Sequence, residues 1–136
     1  MEAGEKTGKL SPKKTILIAE DDETSFVFLK YVLAKENVKI LHARSGQEAI
    51  DIFETHPGID LILMDIKMGG MNGIEATQII KSKNPDIPII AQTAFALSTD
   101  KDNILKAGCD DYITKPIRKK ELLEKINSFL YYENRS

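Results

Sequence analysis

Cysteine is almost missing from this chain: Cys109 is the only one in 136 residues. A single thiol excludes an internal disulfide and a CxxC metal knuckle, and it fits a reducing compartment. An excess of charge of one sign is missing too. With 19 basic and 21 acidic residues the formal net charge is −2, so nothing marks nucleic acid or an anionic membrane as a partner. No apolar run approaches the roughly 20 residues that a membrane span requires. The opening segment, MEAGEKTGKLSPKK, lacks the apolar stretch of a secretory signal. These absences predict a cytoplasmic chain without membrane contact. The rest of the composition, 42% hydrophobic and 29% charged, is that of a globular protein. The length suits one domain, able to bury about two-thirds of its unfolded-chain surface.

Residues 1–14 are rich in Gly, Lys and Glu and carry a Ser11-Pro12 break, which reads as a flexible tail or linker. From Thr15 onward, short apolar runs alternate with amphipathic stretches. Thr15–Ala19, Val38–Ala43, Asp60–Met64, Ile87–Ala91 and Asp111–Thr114 read as strands. The third is apolar after its first residue, as expected when both faces are covered. Glu23–Glu36 carries Phe26, Leu29, Lys30, Val32 and Leu33 near helical spacing. Ser45 with Glu48 three residues on forms a capping box. The helix behind it buries Ala49, Ile50 and Phe53 and stops before Pro57-Gly58. A third helix, Ile74–Lys83, is stopped by Asn84-Pro85. Ser98 or Thr99 caps a fourth, with Ile104, Leu105 and Ala107 on its inner face and Gly108 as its C′ residue. The last helix, Arg118 to about Tyr131, gathers Leu122, Ile126, Phe129 and Leu130 on one face. The pattern predicts (βα)5, a doubly wound parallel sheet between two helical layers.

Four of these strands run into polar residues. Glu20, Asp21 and Asp22 follow the first, Asp65 the third, Gln92 and Thr93 the fourth, and Lys115-Pro116 the fifth. In an open parallel sheet, ligands bind outside the carboxyl ends of the strands, so these groups converge at one edge. Asp65 is a candidate nucleophile, because a carboxylate can take a phosphoryl group as an acyl phosphate. Carboxylates brought together repel by about 4 kcal/mol per pair at 4 Å with an effective dielectric near 20. A hard divalent cation relieves that repulsion, and Mg²⁺ prefers such oxygen ligands. No His or Cys stands near, which argues against zinc. Thr93 and Lys115 offer donors for phosphoryl oxygens, and Lys115 can pair with Asp65 beforehand.

The segments ILIAEDDE, LILMDIKMGGMNG, IPIIAQTA and AGCDDYITKPI resemble the signature segments of response-regulator receiver domains of two-component signalling. The resemblance covers roughly Thr15 to Leu130, in order and spacing. It implies a flavodoxin-like three-layer sandwich with strand order 2-1-3-4-5, a receiver over residues 15–132 and a short tail at 133–136. It implies Asp65 as phospho-acceptor, Asp21 as a direct Mg²⁺ ligand, Glu20 as a second acid acting through water, and the carbonyl of Lys67 as a further ligand. Mn²⁺ is an acceptable substitute. Thr93 and Lys115 then bind the phosphoryl group. Tyr112 matches the aromatic switch position and works with Thr93 toward the face of the fourth helix, fifth strand and fifth helix. The Lys115-Pro116 bond is similar to one that is cis in the family.

Two departures stand out. Gly69 occupies a position where the family usually has proline, and the acid pair is Glu-Asp rather than Asp-Asp. The second departure is similar to receivers of hybrid sensor kinases. The implied function is a phosphorylatable switch, either stand-alone or part of a hybrid histidine kinase. Such a domain phosphorylates and dephosphorylates itself rather than turning over a substrate. Its implied partner is a histidine kinase or a histidine phosphotransfer domain, met through Glu23, Thr24, Phe26, Val27 and Pro116-Ile117. A haloacid-dehalogenase-type phosphatase also forms an aspartyl phosphate, but it needs a second Asp where this chain has Lys67. A flavodoxin-like FMN carrier is opposed by the acids after the first strand. A DNA-binding regulator needs an output domain, which is not expected from the few residues after 130.

Overall fold

The structure is a computed structural model that describes residues 13–94 and 98–131. Most of the tail expected at residues 1–14, the tail at 133–136 and residues 95–97 lie outside the described residues. So do the side chains of Ser98 and Thr99, and with them the expected cap. Among the described residues five strands alternate with five helices. In chain order they are β1 (Lys14–Ala19), α1 (Glu23–Leu33), β2 (Val38–Ala43), α2 (Gly46–Thr55), β3 (Leu61–Asp65), α3 (Gly73–Lys83), β4 (Ile89–Thr93), α4 (Ser98–Ala107), β5 (Asp111–Thr114) and α5 (Lys119–Leu130).

The sheet is parallel throughout, in the order β2-β1-β3-β4-β5. This is the flavodoxin-like arrangement that the family resemblance implies. Alternation along the strands splits the core in two. Leu17, Ala19, Ile62, Met64, Ile89 and Ala91 face one side, where Ala49 and Ile50 of α2, Ala76 and Ile80 of α3, and Ile104 of α4 cover them. Ile16, Ile18, Leu61, Leu63, Ile90 and Ile113 face the other, under Leu29, Val32 and Leu33 of α1 and Leu122, Ile126 and Leu130 of α5. Among the described residues no helix is long and apolar enough to cross a membrane.

Some local expectations shift. The fourth strand begins at Ile89 rather than Ile87, because Pro88 has no N–H to give the ladder and only its carbonyl pairs, with Ile62 N–H at 3.0 Å. The first helix ends at Leu33 rather than Glu36. There the N–H groups of Ala34 and Glu36 bond three residues back, to Tyr31 and Leu33, and tighten the turn. Lys30 is exposed on that helix. Leu105 is 51% exposed, not on the inner face, since Ile104 and Ala107 already turn the buried side of α4 to the sheet. Ser45 does cap α2, accepting from Glu48 N–H at 3.0 Å, but the Glu48 carboxylate turns to Arg44 N–H instead of closing the box. A complete capping box forms at Asn72 and Glu75, ahead of α3. Phe53 and Phe129 are only partly buried.

Candidate functional site

The same alternation that sorts the core also aims the polar groups at the strand ends. Ile16 and Ile18 lead to Glu20, Leu61 and Leu63 to Asp65, Ile90 to Gln92, and Ile113 to Lys115. All four therefore start from the sheet face covered by α1 and α5. Register keeps them level: Ala19 pairs with Met64, Asp65 with Gln92, and Gln92 with Ile113. Asp65 is the last residue of β3, not the one after it.

Glu20, Asp21 and Asp65 come together, each offering a carboxylate oxygen within 4.8 Å of the others. Glu20 and Asp65 are 1% and 3% exposed, while Asp21 faces solvent. Lys115 Nζ lies 3.2 Å from Asp65 Oδ2 and 3.6 Å from Glu20 Oε1. Burial pushes the Glu20 carboxyl up to about 7, aided by the neighbouring Asp65 carboxylate and opposed by Asp22 N–H and Lys115. Two carboxylates held this closely resist double ionisation. Asp22 leaves the acidic set. It is the N-cap of α1, accepting from Ser25 N–H at 2.8 Å, and this bond holds its carboxyl below the usual range.

The loop after β3 is tied to the acids. Lys67 N–H donates to Asp65 Oδ1 at 3.1 Å, and Gly69 N–H to Asp21 Oδ2 at 3.3 Å. Thr93 is buried at the end of β4, one residue past the one level with Asp65. Its carbonyl accepts from Lys115 N–H at 2.8 Å, which fixes where the lysine leaves the sheet. The next peptide bond, Lys115–Pro116, is cis. Tyr112 does not join the carboxylates. It pairs with Ala91 and packs on the opposite core, with the ammonium groups of Lys101 and Lys125 5.6 and 6.0 Å from its ring. Thr93 and Tyr112 thus start from one sheet face and the carboxylates from the other.

Three carboxylates and no sulfur or imidazole form an all-oxygen donor set suited to Mg²⁺. The buried Glu20 Oε1 has no hydrogen-bond partner among the described residues, only the Lys115 ammonium at 3.6 Å, so water held by a cation bound here would give it one. A cavity of about 340 Å³ opens beside this set, lined by Thr24, Ser25, Phe28, Leu29, Gln92, Lys115, Pro116 and Ile117. Phe26 is not on that wall. It is partly buried and stacks on His42 with ring centroids 3.5 Å apart, and His42 Nε2 lies 2.9 Å from the Glu20 carbonyl. Phe28, which the sequence reading passed over, is 40% exposed and lines the cavity instead.

The reading also gave Gln92 no role. The available signal was an amide at the position of a strand where alternation demands an apolar residue. Nor does the sequence give Gly73 a role, although its N–H donates to the Ile66 carbonyl at 3.0 Å directly beside the acids.

The family model of the response regulator receiver domain matches residues 16–127. The polar-differentiation response regulator DivK of Brucella ovis is 38% identical over 120 residues, covering 86% of this chain and 96% of DivK. Hybrid signal transduction histidine kinase I of Dictyostelium discoideum is 39% identical over 94% of this chain, which spans 8% of that protein. Among solved structures, the receiver domain of the Saccharomyces cerevisiae response regulator Ssk1, crystallised with the histidine phosphotransfer protein Ypd1, superposes with TM-score 0.83 at 31% identity. It covers 90% of this chain and 92% of its own. The receiver domain of a Pseudomonas aeruginosa sensor histidine kinase, with a magnesium ion coordinated in its active site cleft, superposes with TM-score 0.81 at 30% identity. Coverage there is 88% of this chain and 98% of its own.

Proposed function

The chain belongs to the response-regulator receiver domains of two-component systems, and from that membership we propose that Asp65 is its phospho-acceptor. One observation carries the reading: Asp65 ends β3 buried, with two further carboxylates within 4.8 Å and an ammonium at 3.2 Å. The donor is a phosphohistidine of a histidine kinase or a histidine phosphotransfer domain. An Asp65 carboxylate oxygen attacks phosphorus, the N–P bond breaks, and the imidazole leaves with the bonding electron pair. The product is an acyl phosphate on Asp65. Hydrolysis or onward transfer then returns the free carboxylate.

Each neighbour has a part to play. Glu20, Asp21, Asp65 and the Lys67 carbonyl would hold Mg²⁺, with Mn²⁺ able to take its place. By the family resemblance Asp21 would be the direct ligand and Glu20 would act through water; Asp21 is exposed at the rim and Glu20 is buried. The metal supplies charge neutralisation for the incoming phosphoryl oxygens. Lys115 leaves its pairing with Asp65 to meet a phosphoryl oxygen, and the Thr93 hydroxyl meets another. Positioning and charge stabilisation are most of what phosphoryl transfer asks of a protein. Thr93 then carries the change across the sheet to the face that holds Tyr112.

Mass spectrometry after incubation with acetyl phosphate and Mg²⁺ tests the reading. One phosphoryl group should add to the parent chain and none to Asp65→Asn. Equal mass gain in the variant would move the acceptor elsewhere.

A further inference from the structure

Gln92 is a polar side chain at a strand position where alternation calls for an apolar one. It is completely buried, and among the described residues neither its amide oxygen nor its amide nitrogen meets a hydrogen-bond partner. An amide left so carries its full desolvation cost, whereas an apolar side chain of the same shape is close to neutral there. Either an ordered water or another state of the protein gives this amide a partner.

The partner at hand is Lys115. Gln92 is level with Asp65 in the sheet and shares the cavity wall with Lys115. An ammonium has three donors. Asp65 takes one at 3.2 Å, while the 3.6 Å approach to Glu20 is a charge contact too long for a hydrogen bond. Donating capacity on the lysine and an unused acceptor on the glutamine thus border one cavity.

Resting on the reading of the site above, we propose that Gln92 is a positioning residue for Lys115. When the phosphoryl group occupies Asp65, Lys115 gives up its contact with the Asp65 carboxylate and turns one donor to a phosphoryl oxygen, leaving donors on the ammonium to satisfy. The Gln92 amide oxygen then accepts from the ammonium and holds it at the edge of the site. Without that acceptor the flexible lysine stem turns out to solvent and the phosphoryl oxygens lose their donor. Neutrality matters, because a carboxylate at this position would compete for the cation.

The experiment compares the parent chain with Gln92→Met, which keeps the volume and removes the amide, and runs Asp65→Asn alongside. Gln92→Met should keep its urea midpoint at or above the parent's and its Mg²⁺ affinity within about twofold. Its labelling rate with acetyl phosphate should fall about tenfold, the loss expected for one hydrogen bond to a charged group. In the parent, the Gln92 side-chain NH₂ resonances should move on labelling with acetyl phosphate and Mg²⁺, and that movement should vanish in Lys115→Met. A lower midpoint in Gln92→Met, an unchanged labelling rate, or NH₂ resonances that ignore Lys115 would each overturn the proposal. Absence of labelling in the parent, or labelling of Asp65→Asn, would instead overturn the site reading and this proposal with it.

Discussion

Gly73 lies against the backbone of Asp65 so closely that a Cβ on it would stand 2.3 Å from the Asp65 carbonyl oxygen and 2.9 Å from the Ile66 Cα. The first turn of α3 and the end of β3 therefore touch backbone to backbone, and this contact sets the path of the loop that carries Lys67. Any side chain at position 73 must push the helix start away from the acceptor.

Gly73→Ala should accordingly destabilise the fold by about 1–3 kcal/mol, the range for forcing extra atoms into a packed site. It should also weaken Mg²⁺ binding, because the displaced strand end carries Asp65. Gly69→Ala is the control, since a Cβ there meets nothing within 4 Å. Urea denaturation of both variants decides the matter. Equal midpoints would mean that the helix start yields without cost. Gly69→Pro, the change toward the family's usual residue, is a poor stabiliser here, because it would delete the N–H that Gly69 gives to Asp21.

Glu20 should make the metal-free protein more stable in mild acid than at neutrality. Its carboxyl is raised from an ordinary 4.5 to about 7, so the folded chain holds this proton more tightly than the unfolded chain. The stability it contributes is full below about pH 4.5 and is lost as pH rises through about 7. Urea midpoints measured from pH 4 to 8 without metal should fall over that window relative to Glu20→Gln, which has nothing to titrate. Adding Mg²⁺ near pH 8 should recover stability, since a ligand that binds only the folded state stabilises it. Parallel pH curves for the two proteins would remove Glu20 as the source.

Transfer from a phosphohistidine partner should depend on side chains that a small donor never meets. Val27 and Phe28 are 53% and 40% exposed on α1, and Phe28 and Ile117 share the cavity wall beside Lys115. Apolar groups in such a rim are the usual centre of a docking patch. Phe28→Ser and Val27→Ser should slow transfer from the phosphorylated histidine domain several-fold while acetyl phosphate labels both at the parent rate. Phe26→Ser should instead lower stability, because that ring is stacked on His42. Equal slowing with both donors at position 28 would make it part of the site rather than of the docking face.

Much of this architecture was legible in the residues because strands and helices announce themselves by period. Unbroken apolar runs required a sheet covered on both sides, and alternation of the two patterns required parallel strands. The candidate acids and the lysine were legible for a related reason: each follows directly on an apolar run, and the ends of parallel strands share one edge. Local chemistry also marked Asn84-Pro85 and Gly108 as helix ends. The sequence determined, in short, which residues could reach the site.

Which of them do reach it was decided by packing and register. Three consecutive acids look equivalent in the chain, yet Glu20 is drawn inside, Asp21 stays at the rim and Asp22 is spent on capping α1. Phe26 and Phe28 differ by two positions on one helix, and only the neighbouring strand, through His42, makes the first a packed ring and leaves the second open. Gln92 gained meaning only when pairing set it level with Asp65 and beside Lys115. Periodicity is a property of a segment, readable from neighbours along the chain. Burial, charge coupling and close backbone approach are properties of pairs far apart in sequence, such as Lys115 with Asp65 or Phe26 with His42, and they exist only once the sheet has chosen its order.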